Sequence, residues 1–193
     1  MKKLNKKGFT LIELIAVIVI LSIILVFVVP NLLDTYKRSK LKTEKAFVDQ
    51  LSKGIESYIT LYSNEMSFSK VDGNFVKEIT DNRSDKPSYD VDVYSADITV
   101  KNIIENNIIE ASEYINPGNR GDNTKQCKPE TDKITVYRDS DFVYCFKMEP
   151  MDCLTEDFID FLTEEKPEEP KNKDGKIKYV LDTCIWKKIE NGE

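Results

Sequence analysis

The 193-residue chain contains no histidine. That removes the commonest general base and the commonest metal ligand together. There is no Cys-x-x-Cys pair, so the four cysteines lack the spacing of a structural zinc site. A glycine-rich phosphate loop is missing too, and seven glycines leave little material for one. Scattered serines and carboxylates without an imidazole partner do not make a hydrolase. An enzyme is therefore not expected, and no cofactor or metal is implied.

What the chain does have is one long hydrophobic run. Residues 11–29 are apolar except for Glu13 and Ser22, and Pro30 follows. At about 1.5 Å per residue, the run is just long enough for the roughly 30 Å hydrocarbon core of a bilayer. Lys2, Lys3, Lys6 and Lys7 precede it, which by the positive-inside rule keeps the N-terminus cytoplasmic and sends the rest outward. An ordinary secretory signal has a shorter apolar region with a small-residue cleavage site beyond it. Here no Ala-x-Ala-like site follows, and the small residue, Gly8, stands before the run. Cleavage after Gly8 would remove the lysines and leave the apolar helix as the new N-terminus. Glu13 is the misfit. An ionised carboxylate in such a helix costs about 3 kcal/mol even on lenient insertion scales, so a partner for it is expected.

The segment Lys6-Lys7-Gly8-Phe9-Thr10-Leu11-Ile12-Glu13, with its apolar continuation and Pro30, resembles the start of a type IV pilin or pseudopilin. The resemblance implies that a prepilin peptidase cuts between Gly8 and Phe9 and methylates the new amine of Phe9. It also implies that Glu13 pairs with the Phe9 amine of a neighbouring subunit during filament assembly. Wrong registers would leave both charges unpaired in low dielectric, so the pair selects the stagger. A plain single-pass anchor, with Glu13 protonated or snorkelling, is the simpler alternative. Further implied partners are other pilin subunits, a membrane platform and an assembly ATPase. The expected location is the cytoplasmic membrane, N-terminus inside, and then a surface filament. The alternatives are a pseudopilin of a type II secretion or competence DNA-uptake machine, and an anchored binding module that never polymerises.

Charge divides the chain. Residues 1–63 carry 10 basic and 5 acidic side chains, residues 64–193 carry 18 and 29. The acidic part should repel nucleic acid, so direct binding of it is not expected. Helical periodicity continues past the apolar run through Leu41, Phe47, Val48, Leu51, Ile55, Tyr58, Ile59 and Tyr62, leaving Lys45, Asp49, Lys53 and Glu56 outside. One helix over residues 9–63 would be about 80 Å long. Pro30 removes the hydrogen bond to the Val26 carbonyl and is expected to kink or loosen it; the resemblance implies local unwinding there during assembly. The expected organisation is a leader at 1–8, an apolar helix at 9–30, an amphipathic continuation at 31–63 and an extracellular head at 64–193.

In the head, Tyr89, Val91 and Val93 alternate as a short strand, and residues 99–109 read as a helix with Ile103 and Ile104 inward. Residues 116–119, Asn-Pro-Gly-Asn, read as a turn. Residues 134–137 and 142–146 flank Asp139-Ser140 as a hairpin, and residues 177–186 have strand character. The expected fold is α+β, a long N-terminal helix packed on a small antiparallel sheet. Cys127, Cys145, Cys153 and Cys184 all fall in the part expected to be exported, where disulfides persist. Three pairings are open to them; positions facing one another across the expected turn sum to about 280, as do 127 and 153, which favours Cys127 with Cys153 and Cys145 with Cys184. Asn172-Lys173-Asp174-Gly175 and Asp139-Ser140-Asp141 hint at calcium, but neither has EF-hand spacing, and turn residues belong at both places.

Overall fold

The computed structural model describes residues 10–78, 88–112, 114–116 and 126–189. The leader, Gly8 and Phe9, and residues 117–119 of the expected turn lie outside the described residues. The chain divides into two compact units, 1–40 and 41–193. Helix α1, Leu11–Tyr62, contributes to both.

In the first unit, α1 is apolar all round and unburied, so its large side chains from Leu11 to Tyr36 are exposed. This segment is long and apolar enough to cross a membrane, with a mean hydropathy of 3.3 over its most apolar window. Pro30 lies inside the helix and does not end it. The Asn31 side-chain amide donates to the Phe27 carbonyl at 3.0 Å, adding a polar bond where the proline ring thins the ladder.

The second unit is the head, and α1 supplies it with one apolar face. Phe47, Val48, Leu51, Ile55, Tyr58 and Ile59 are buried, while Lys45, Asp49, Lys53 and Glu56 stay exposed. Full burial of each large side chain contributes roughly 2 kcal/mol relative to exposure. Gly54 lies on the same face because a Cβ there would collide with Ile109. After a 3-10 turn at Ser63–Glu65 come β1 (Ser69–Lys70), β2 (Asn74–Glu78), β3 (Ser88–Val91) and β4 (Val93–Thr99). Then follow α2 (Val100–Glu105), β5 (Lys133–Asp139), β6 (Tyr144–Met148), α3 (Glu156–Glu165), β7 (Leu181–Asp182) and β8 (Trp186–Ile189).

Among the described residues all strand pairs are antiparallel, and they form two sheets rather than one. Five strands run in the order β1-β4-β5-β6-β7, and three in the order β3-β2-β8. Ile134, Val136, Phe146 and Met148 point to one face of the larger sheet, against α1 and against Phe158 and Leu162 of α3. On the opposite face a smaller cluster of Phe75, Val91, Val93, Cys145 and Trp186 joins the two sheets.

Several sequence expectations need correction. The run around Tyr89 is two strands, split at Asp92 and assigned to different sheets. The helix expected to reach residue 109 ends at Glu105: Thr99 and Asn102 form a capping box at its start, and Asn107 takes a positive φ of 57° just beyond its end. The hairpin turn is also displaced. Tyr137 pairs with Cys145 and Arg138 with Tyr144, which centres the loop on Asp141. Asp139 N–H donates to the Val143 carbonyl, and Phe142 takes φ 61°, the left-handed third position of a three-residue hairpin loop. The last expected strand is broken into β7 and β8, which serve different sheets.

Candidate functional site

The functional segment begins where α1 begins. A helix leaves its first N–H groups without partners, and Thr10 and Glu13 satisfy each other there. The Thr10 N–H and hydroxyl both donate to Glu13 Oε2 at 2.8 Å, and the Glu13 N–H donates to Thr10 Oγ1 at 3.4 Å. This is a capping box, Thr-x-x-Glu. The acidic side chain also lies at the positive end of the helix dipole. Among the described residues nothing is bonded to Glu13 Oε1, and the side chain is exposed. Thr10 was missed as a site residue, although the Thr-x-x-Glu signature is present in the sequence.

Within the head, the cysteines form two disulfides: Cys127 with Cys153, Cα atoms 4.7 Å apart, and Cys145 with Cys184, 5.0 Å apart. The first lies beside a polar joint that sequence reasoning also missed. Glu44 is 0% exposed on the buried face of α1. Its carboxylate accepts from the Asn116 amide at 2.9 Å and from the Thr155 hydroxyl at 2.7 Å. Asn116 donates as well to the Cys153 carbonyl at 2.6 Å. Thr155 is the N-cap of α3, accepting from the Phe158 N–H. Among the described residues no lysine or arginine pairs with Glu44. Its signal was positional: residue 44 falls on the same helical stripe as Leu41, Phe47, Val48 and Leu51.

The candidate cation loops are engaged as turns. Asp139 Oδ1 accepts the N–H groups of Asp141 and Val143, and Oδ2 takes Lys77 Nζ at 2.7 Å. That ion pair ties β2 of the small sheet to β5 of the large one. The Asp139 hydrogen bond, against the opposing effect of burial, raises the Lys77 ammonium above its usual range. Asn172 Oδ1 accepts from the N–H groups of Asp174 and Lys176, with Gly175 at a positive φ. In the core, Tyr114 donates to Asp132 Oδ2 at 2.6 Å, and the Lys128 N–H reaches the same oxygen at 2.8 Å. Burial pushes both Tyr114 and Asp132 upward.

Residues 3–29 match the family described as the prokaryotic N-terminal methylation motif. That is the prepilin-type signal of type IV pilins and pseudopilins, and residues 3–29 carry it here. The match points to a structural class rather than to an enzyme, and an apolar helix behind such a signal fits membrane anchoring before assembly. No curated protein and no solved structure matches the chain.

Proposed function

We propose that this protein is the structural subunit of a type IV pilus-like surface filament. A prepilin peptidase cuts between Gly8 and Phe9 and methylates the Phe9 amine, and a membrane platform with its ATPase then draws the subunit into a polymer of like subunits. The observation that carries this reading is the methylation motif at residues 3–29, whose apolar helical part has no buried face of its own. Outside lipid that helix needs other helices around it, and identical copies supply them.

Glu13 serves two stages in this scheme. Before assembly, Thr10 holds one carboxylate oxygen and lowers the cost of keeping the group in a helix end. During assembly, the other oxygen meets the Phe9 ammonium of a neighbour, and a mutually paired charge is far less costly in low dielectric than two lone ones. Pro30 is the place where the helix loosens as it leaves the membrane. The Cys127–Cys153 and Cys145–Cys184 bonds hold the exported head. The test is shearing: cells sheared gently should release filaments containing this chain, and labelled antibody should decorate them along their length. Chain confined to the membrane fraction would overturn the filament reading and leave a pseudopilin or an anchored module.

A further inference from the structure

Where the apolar part of α1 ends, the helix carries a basic collar that neither leader cleavage nor the pairing of Glu13 uses. The apolar run closes with Leu32 and Leu33, and Tyr36, 69% exposed, stands about one turn further on. Lys37, Arg38 and Lys40 come next, with Asp34 the acidic residue nearby. Arg38 lies 3.8 Å from Asp34, but the two side chains are 79% and 73% exposed, and an exposed pair of this kind contributes little. Among the described residues Lys37 and Lys40 have no ionic partner, whereas Lys45 is held by Glu165 at 2.8 Å. At 3.6 residues per turn the three collar positions spread over about 160° of the helix circumference, so they ring the helix rather than line one face.

We propose that this collar binds the anionic phospholipid headgroups of the membrane that α1 crosses, and so fixes the depth of the subunit before assembly. The inference rests on the membrane-anchored reading and is independent of whether the chain polymerises. The distances fit. Lys37 and Lys40 lie about 6 and 10 Å along the helix beyond Leu33, and a headgroup layer is about 5–7 Å deep on each side of a bilayer. Helical side chains lean toward the N-terminus of their helix, so the long basic ones here lean back toward the apolar run. Their stems stay against apolar surface while their charges reach the phosphates. Tyr36 suits the same level, because a phenol ring settles at the boundary between lipid and water. Charge selects the lipid: a headgroup with a phosphate and no ammonium attracts the collar most. The acidic head of a second copy also offers carboxylates, but only once subunits have met. Lipid phosphates surround this turn of helix from the moment it inserts.

A photoreactive benzoylphenylalanine in place of the exposed Tyr36 gives a local probe. The full-length protein carrying it is reconstituted into vesicles of equal phosphatidylglycerol and phosphatidylcholine and irradiated, and mass spectrometry identifies what is attached to the peptide containing residue 36. Phosphatidylglycerol should be attached about threefold more often than phosphatidylcholine, and the preference should shrink at about 1 M salt. It should fall to parity when Lys37→Gln, Arg38→Gln and Lys40→Gln are combined. It should persist when Lys2, Lys3, Lys6 and Lys7, at the other end of the apolar run, are all replaced by glutamine. Inserted protein whose attached lipid shows no headgroup preference, or the same preference in the triple variant, would overturn the proposal and leave the anchored reading standing. Attachment to a second copy of the chain in place of lipid would also overturn it, assigning the collar to a contact between subunits. Protein washed from the vesicles by alkaline carbonate would overturn the anchored reading, and this inference with it.

Discussion

Replacing Thr155 with valine keeps the side-chain shape and deletes one hydroxyl, and the structure gives that hydroxyl two tasks. It donates to the buried Glu44 carboxylate at 2.7 Å and accepts the Phe158 N–H at the start of α3. Leaving a buried acceptor without its hydrogen bond costs about 1–3 kcal/mol, and losing an N-cap costs about 1 kcal/mol. Thr155→Val should therefore destabilise the head by about 3 kcal/mol, and Thr155→Ser by far less. Urea unfolding of the full-length protein in detergent, followed by circular dichroism, measures this. A second step separates the two tasks. In a Glu44→Met background the carboxylate is gone, so Thr155→Val should cost only the cap, about 1 kcal/mol. The cycle then yields a coupling of about 2 kcal/mol between residues on different helices. Additive costs would refute the view that Glu44 is held by Thr155, and a cost below about 0.5 kcal/mol for Thr155→Val alone would refute both tasks.

Gly8→Val should leave the leader attached, because a branched side chain obstructs a peptidase site shaped for glycine; mass spectrometry should find the wild type starting at methylated Phe9 and the variant retaining residues 1–8. Glu13→Gln should insert and fold normally yet yield few sheared filaments, since the Phe9 amine loses its charged partner; normal filament yield would show that the carboxylate does not direct assembly. Joint replacement of Cys145 and Cys184 by alanine opens a loop of sequence separation 39 and should cost about 4 kcal/mol, read as a fall in the urea midpoint. Asp132 is raised above its ordinary value of 3.8, chiefly by burial, so its contribution is most favourable in acid and is lost as pH rises through its folded-state pKa. Asp132→Asn keeps an oxygen for Tyr114 and the Lys128 N–H, and its stability relative to wild type should increase from about pH 4 to pH 7; a flat difference would contradict this.

How much of this was legible in advance follows from where the determining interactions lie along the chain. A peptidase and a membrane read linear sequence, so Gly8, Phe9, the lysines and the apolar run all announce themselves locally. The stem face was equally plain, because helical neighbours are three and four residues apart. Strands depend on distant partners. The polar stretch holding β1 and β2 gives no strong alternation; β2 is a strand because β3 and β8 flank it, and β8 lies more than a hundred residues further on. The break at Asp92 similarly hands one apparent strand to two sheets.

The hairpin illustrates the intermediate case, in which local chemistry is readable but several solutions compete. Asp139-Ser140 resembles a two-residue turn, yet Asp139 performs better one step outside the loop. There its carboxylate takes the N–H groups of Asp141 and Val143 and still reaches Lys77 on β2. That arrangement forces Phe142 into a left-handed conformation, at a cost of about 1–2 kcal/mol for a residue with a Cβ. The Phe142 ring, 68% exposed, then lies 5.0 Å from the Arg138 guanidinium, which Phe68 and Tyr94 also face. A cation–π contact of this kind returns about 0.5–1 kcal/mol at an exposed site, which offsets part of the backbone strain. The register of the central hairpin is thus set by an ion pair to another sheet and by an arginine among three rings. Neither can be counted until the chain has folded, and both displace a turn that local preference alone would have centred between Asp139 and Ser140 rather than on Asp141.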